Sequence, residues 1–151
     1  MLLVNPGFDD SDSSYAPWTG SAFIDQDNPQ AGSQAVAIIW NNGQSNNGGY
    51  MKQTLTNLNG DYEFSYYYQV AVTRTGLSST CSLQVKIGDD TTVPRNIDLV
   101  VGEWKSGSVS WSSAGETVAQ ADVELAITCT GDYDRIGINL DSFAFTRVCS
   151  T

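Results

Sequence analysis

Two distant seven-residue runs fit one another in a single register. Cys81-Ser82-Leu83-Gln84-Val85-Lys86-Ile87 and Val123-Glu124-Leu125-Ala126-Ile127-Thr128-Cys129 each alternate apolar with polar residues, the period of a half-buried strand. Set antiparallel with Cys81 opposite Cys129, Leu83 faces Ile127, Val85 faces Leu125 and Ile87 faces Val123. On the other face Lys86 meets Glu124, an opposite-charge pair. The register predicts a Cys81–Cys129 disulfide. The alternative is two buried free thiols, since cysteine often packs as a small hydrophobe. A disulfide would place the chain in an oxidising compartment. Cys149 is left over near the end, either an intermolecular link or a residue of the chain boundary.

The rest of the chain has the same texture. Ala22–Ile24 is a short apolar run, Gln34–Trp40 and Tyr50–Leu55 read as strands, and Asn59-Gly60 reads as a turn. Tyr62–Val72 is the longest strand, with Phe64, Tyr66 and Tyr68 on one face and Ser65, Tyr67 and Gln69 on the other. Ile97–Val101, Trp104–Trp111 (an edge or bent strand) and residues 136–147 complete the set. One helical turn has room around Gly115–Ala121. Short strands at even spacing, separated by Gly, Asn and Asp, argue for an all-β sandwich or barrel of antiparallel sheets. The 151 residues fit a single domain spanning 1–151, with no internal repeat.

The formal net charge of −10 disfavours nucleic acid and anionic membrane as partners. Neutral ligands or cations fit better. No run of apolar residues is long enough to span a bilayer as a helix. Met1-Leu2-Leu3-Val4 is too short for a signal peptide, so either a leader has been removed or the protein stays inside. Charged residues are only 16% of the chain, a balance common in secreted proteins. Histidine is absent, which removes the commonest general base and zinc ligand. No nucleophile elbow, phosphate loop or zinc spacing is present. Glu63, Glu103, Glu116, Asp122 and Glu124 are acidic, but no two form a recognisable glycosidase pair.

Two phrases stand at opposite ends of the chain: Asn5-Pro6-Gly7-Phe8-Asp9 and Leu140-Asp141-Ser142-Phe143-Ala144-Phe145. Between them come Trp18-Thr19, Gly32-Ser33, Gln53-Thr54-Leu55, Tyr62-Glu63-Phe64-Ser65-Tyr66, and Trp104 with Trp111 seven residues later. In this order they resemble the jelly-roll carbohydrate-binding modules of the galactose-binding-like superfamily, the type appended to xylanases and cellulases. The cysteine pair looks like the fungal branch of such modules. Asp9 stands where the family usually has Glu. The resemblance implies a galactose-binding-domain-like β-sandwich whose first and last strands meet. It also implies a structural calcium on Asp9 and Asp141, with carbonyls from the loop at Gln30 and Ser33, a set of oxygens that suits this cation. The alternative is that Asp9 caps its own loop and Asp141 accepts backbone amides.

The resemblance places Trp18, Trp104 and Trp111 in the core. By alternation Tyr50 and Tyr67 point outward, and aromatic planes pack on the C–H faces of sugar rings. Gln69, Gln84, Lys86 and Glu124 are expected on the same outward face as polar partners, with Trp40 and Tyr133 lining its edges. The expected function is non-catalytic binding of a neutral polysaccharide or oligosaccharide of the xylan, β-glucan or mannan class. The protein would be secreted, monomeric, and in its native chain open to attachment to a catalytic domain. The alternatives are a small jelly-roll glycoside hydrolase or lyase using Glu124, and an adhesion or structural module without a sugar ligand.

Overall fold

A computed structural model describes residues 3, 5–10, 14–26, 29–41, 48–75, 80–92, 94–97, 101–130 and 133–148. Eleven strands make two antiparallel sheets. They are β1 (Thr19–Gly20), β2 (Phe23–Asp25), β3 (Ala35–Asn41), β4 (Gly48–Leu58), β5 (Asp61–Thr75), β6 (Thr80–Ile87), β7 (Asp90–Thr91), β8 (Arg95–Ile97), β9 (Lys105–Ser112), β10 (Val118–Thr130) and β11 (Tyr133–Val148). One sheet has six strands in the order β1-β4-β10-β6-β7, with β8 also on β6; the other has five in the order β2-β3-β11-β5-β9.

The cysteine register holds residue for residue. Cys129 lies opposite Cys81, Ile127 opposite Leu83, Leu125 opposite Val85, Glu124 opposite Lys86 and Val123 opposite Ile87. Cys81 and Cys129 are joined by a disulfide. The polar–apolar period of this ribbon turns its apolar side chains into the space between the sheets, where Leu83, Val85, Ile87, Val123, Leu125 and Ile127 are all buried. From the other sheet Val36, Ile38, Phe64, Tyr66, Ile136, Ile138, Leu140 and Phe145 meet them. Each side chain so buried contributes roughly 1.5–3 kcal/mol.

Two sequence expectations change. The end phrases do meet, but as a turn on a bulge rather than as paired strands. Asn5–Phe8 closes on a Phe8 N–H to Asn5 carbonyl bond of 3.1 Å, and the Phe143 N–H donates to the Pro6 carbonyl at 2.9 Å. Of the expected strand at Ile97–Val101, residues 98–100 lie outside the described residues; Ile97 ends β8 and Val101 opens a bend that runs to Glu103. The helical turn near Gly115 is a β-type turn leading straight into β10. Alternation explains that last outcome, because Ala121, Val123 and Leu125 already carry the strand period.

Of the predicted core tryptophans, Trp18 is buried, its Nε1 donating to the Asn5 carbonyl at 2.9 Å. Trp111 packs partly buried against Tyr62 and donates from Nε1 to Asp90 Oδ2 at 2.8 Å. That bond ties β9 of one sheet to β7 of the other. Trp104 is only half-buried.

Candidate functional site

The sandwich has two outer faces, and the predicted ligand residues are divided between them. Tyr50 of β4, Gln84 and Lys86 of β6, and Glu124 of β10 lie on the outer face of the six-stranded sheet. There Glu124 sits between Lys52 and Lys86, and the Lys52 ammonium stands 5.7 Å from the Tyr50 ring. Gln84 is committed to the Thr92 carbonyl at 2.7 Å. Tyr67 and Gln69 of β5 lie on the opposite side of the molecule, on the five-stranded sheet. The expectation of one shared face fails because alternation fixes the side of a sheet, not which sheet carries the strand. Trp40 is 2% exposed in the hydrophobic core, so it does not line a ligand edge. It falls in phase with Val36 and Ile38, which face inward. Tyr133 is the first residue of β11, and its side chain lies outside the described residues, as does Cys149.

The outer face of the five-stranded sheet holds a cleft of about 510 Å³. One cross-strand row of its floor and wall is Phe23, Ala37, Asn139 and Gln69, paired in that order from β2 through β3 and β11 to β5. The next row is Ile39 and Gly137. Gly137 pairs with Val72 but Ile138 pairs with Val70, so Ala71 is a bulged residue. Such a bulge bends its strand, and it brings Val70 and Ala71 to the cleft. Phe23, 47% exposed, forms one wall; Val101, 52% exposed, and Gly102 form the other. Asp25 and Arg135 complete the lining. Tyr67 lies one row away, opposite Asp141 on β11 and Ser106 on β9.

Two amides are buried in this floor. Gln69 Nε2 donates to the Gly102 carbonyl at 2.6 Å, and Asn139 Nδ2 donates to Gln69 Oε1 at 3.4 Å. The sequence reading found Gln69 but missed Phe23, Asn139 and Val101. Asn139 was findable: it alternates with Ile138 and Leu140, both inward, and so faces out on a strand. Nothing local in the sequence announces the bulge or the packing of the Val101 loop over the sheet.

A second polar cluster adjoins the first at the Asp141 end of β11. Asp141 is fully buried. Its Oδ2 accepts the N–H groups of Gln30 (3.0 Å) and Ala31 (3.1 Å), and its Oδ1 accepts that of Ser142 at 2.8 Å. Asp9 Oδ1 accepts from the Ser33 N–H (3.0 Å), the Ser33 hydroxyl (3.1 Å) and the Gln34 N–H (3.0 Å). Ser142 Oγ donates to Gln30 Oε1 at 2.6 Å. Burial pushes the Asp141 carboxyl up to about 6; the three amides pull it down, and nearby Asp9 pushes it further up. Gly32 takes φ +70, and a Cβ there would run into the Asp9 carboxylate, so this loop needs glycine on both counts.

The four residues expected to ligate a metal are therefore together. Two carboxylates, Asp9 and Asp141, stand near one another here, and each is held by hydrogen-bond donors of the 30–34 loop. The contacts follow the alternative reading for Asp141, which accepts the backbone amides of Gln30, Ala31 and Ser142, while Asp9 accepts those of Ser33 and Gln34; Gln30 and Ser33 turn N–H groups, not the expected carbonyls, to the carboxylates. Among the described residues no group of three or more His, Cys, Asp or Glu forms a metal cluster.

These features define a two-sheet β-sandwich with a cleft on the outside of one sheet. No family model matches the sequence. No curated protein matches it either. Solved structures do share its fold. One is TmCBM61 in complex with β-1,4-galactotriose, 18% identical, covering 97% of this chain and 98% of that one at a TM-score of 0.65. Another is the CBM22-1 xylan-binding domain from Paenibacillus barcinonensis Xyn10C, 14% identical, covering 96% and 93% at 0.59. A third is a cyclase from Fischerella sp. TAU in complex with 4-(1H-indol-3-yl)butan-2-one, 10% identical, covering 94% and 93% at 0.62. At such identities the likeness is one of fold, and function has to be argued from the site.

Proposed function

We propose that this chain is a non-catalytic module that binds a neutral polysaccharide or oligosaccharide in the cleft of the five-stranded sheet. The observation that carries this reading is the makeup of the cleft. An exposed Phe23 wall and a floor of Ala37, Gly137 and Ala71 offer apolar surface to the C–H face of a sugar ring, and the Gln69 and Asn139 amides lie in the same floor. Solved structures of this fold include a complex with β-1,4-galactotriose and a xylan-binding domain, which supports a glycan ligand; the class proposed is xylan, β-glucan or mannan.

A binding role is favoured over hydrolysis by the ionisable groups. Among the described lining residues the cleft has one carboxylate, Asp25, and one cation, Arg135, at opposite ends of β3, where they pair with Ala35 and Asn41. Acid–base glycoside cleavage takes two carboxyls across the scissile bond. Glu124, on the far sheet, stands between two lysines.

The same reading includes calcium at Asp9 and Asp141, with further oxygens from Gln30 and Ser33. A cation there would offset the repulsion between the two acids. The disulfide ribbon supports secretion and the fungal-type variant of the fold. A monomeric module serving an attached catalytic domain completes the proposal; a solved xylanase carries a CBM22-1 module beside its GH10 module.

Affinity electrophoresis against soluble xylan, β-glucan, galactan and mannan tests the function. Retardation by at least one gel, relieved by Phe23→Ala, is expected. Equal mobility in every gel overturns it.

A further inference from the structure

Gln69 was expected to touch ligand directly, but its side chain is otherwise engaged. We propose that Gln69 is a positioning residue that sets the width of the cleft by clamping the Val101–Gly102 wall, an inference that rests on the cleft being the binding site. Two consecutive residues of β5 hold Gly102 from both sides of its peptide chemistry. The Gly102 N–H donates to the Val70 carbonyl at 3.3 Å, and the Gly102 carbonyl accepts from Gln69 Nε2 at 2.6 Å. Asn139 Nδ2, at 3.4 Å from Gln69 Oε1, fixes which way the Gln69 amide points. With its oxygen turned to Asn139, its nitrogen must face Gly102. The relay therefore runs from β11, through β5, to the wall that opposes Phe23.

Gly102 has φ +156, and a Cβ there would meet nothing within 4 Å. The wall is therefore not wedged in place at Gly102 by side-chain packing. Among the described residues, the hydrogen bonds with Gln69 and Val70 hold it to β5. Gly102 is exposed, so without the Gln69 donor its carbonyl turns to water and the wall loses that anchor.

Gln69→Glu tests this with nearly unchanged volume. A carboxylate has no donor for the Gly102 carbonyl and repels it; a protonated carboxyl can donate again. Asp25 and Arg135 are the other ionisable side chains of the described lining, and the wild type is the control for their titration. Hydrogen exchange of the Gly102 amide is the readout that does not depend on any ligand. At pH 7 the variant is expected to exchange at Gly102 at least tenfold faster than wild type, relative to core amides such as Leu125. Glycan retention should weaken at least tenfold. Lowering the pH toward 4 should restore Gly102 protection in the variant and leave the wild-type ratio alone. Gln69→Met gives the pH-independent version of the same loss and serves if the charged variant fails to fold. Wild-type protection at Gly102 in both folded variants would overturn the clamp. Faster exchange with no retention of any glycan by the wild type would keep the clamp and sink the binding reading instead.

Discussion

The Phe143 N–H donates to the carbonyl of Pro6 at 2.9 Å, which joins the two ends of the chain at the point where β11 bulges. Its pairing with β5 slips between Asp141 and Ala144, and Ser142 takes φ 52. That kink turns the Phe143 ring inward, where its centroid lies 5.2 Å from Phe8, 5.3 Å from Trp18 and 5.5 Å from Phe64. Phe8 is wholly buried in this aromatic knot. Phe8→Ala is expected to cost about 3–5 kcal/mol and to loosen the N-terminal turn. Chemical denaturation measures the loss; less than 1 kcal/mol would mean the knot is not built as described.

Gly107 of β9 lies under Tyr66, and a Cβ at that position would collide with the Tyr66 hydroxyl and ring. The inner face of β9 otherwise carries Lys105, Val109 and Trp111. Gly107→Ala should destabilise by about 1–3 kcal/mol through overpacking. Adding Tyr66→Leu should recover part of that, in a double-mutant cycle read by denaturant midpoint. Additive losses would show that the two residues do not meet.

Asp141 gives the fold a pH dependence with a definite sign. Its carboxyl is held up at about 6 against an ordinary 3.8, chiefly by burial. The folded chain therefore binds this proton more tightly than the unfolded one. Its contribution favours folding most below about pH 4 and is lost as pH rises through about 6, by on the order of 3 kcal/mol. In chelator, stability should fall over that window, and Asp141→Asn should flatten the fall. Added calcium should remove it too if the cation sits between Asp9 and Asp141. A slope unchanged in the variant would assign the titration elsewhere.

The sheets were legible in the sequence because binary alternation reports directly on burial. The Cys81–Cys129 register came out complete, since four apolar pairs and one charge pair agreed on it. The predicted faces of Phe64, Tyr66 and Tyr68 against Tyr67 and Gln69 held for the same reason. The cleft was less legible. Its wall depends on Val101 crossing over β5 and on Ala71 bulging, both set by tertiary packing. Trp40 was misread because its loop-side position looked like a rim, whereas its phase with Val36 and Ile38 put it inside.

The division of the candidate aromatics between two faces makes the binding surface decidable. Tyr50 is 37% exposed on the six-stranded sheet, opposite Ala126 and one row from the Lys52, Glu124 and Lys86 row. Phe23 stands on the wall of the cleft on the other sheet. A single exposed ring offers a sugar one plane, while a cleft desolvates the ring on several sides and gains correspondingly more apolar contact. Phe23→Ala is therefore expected to lower glycan affinity at least tenfold, which corresponds to about 1.4 kcal/mol or more. Tyr50→Ala should change it less than twofold. Isothermal titration with the best oligosaccharide from the glycan panel compares them, and circular dichroism confirms that both variants fold. The reverse ranking would move the binding surface to the six-stranded sheet, where the charged row of Lys52, Glu124 and Lys86 would make affinity fall with added salt.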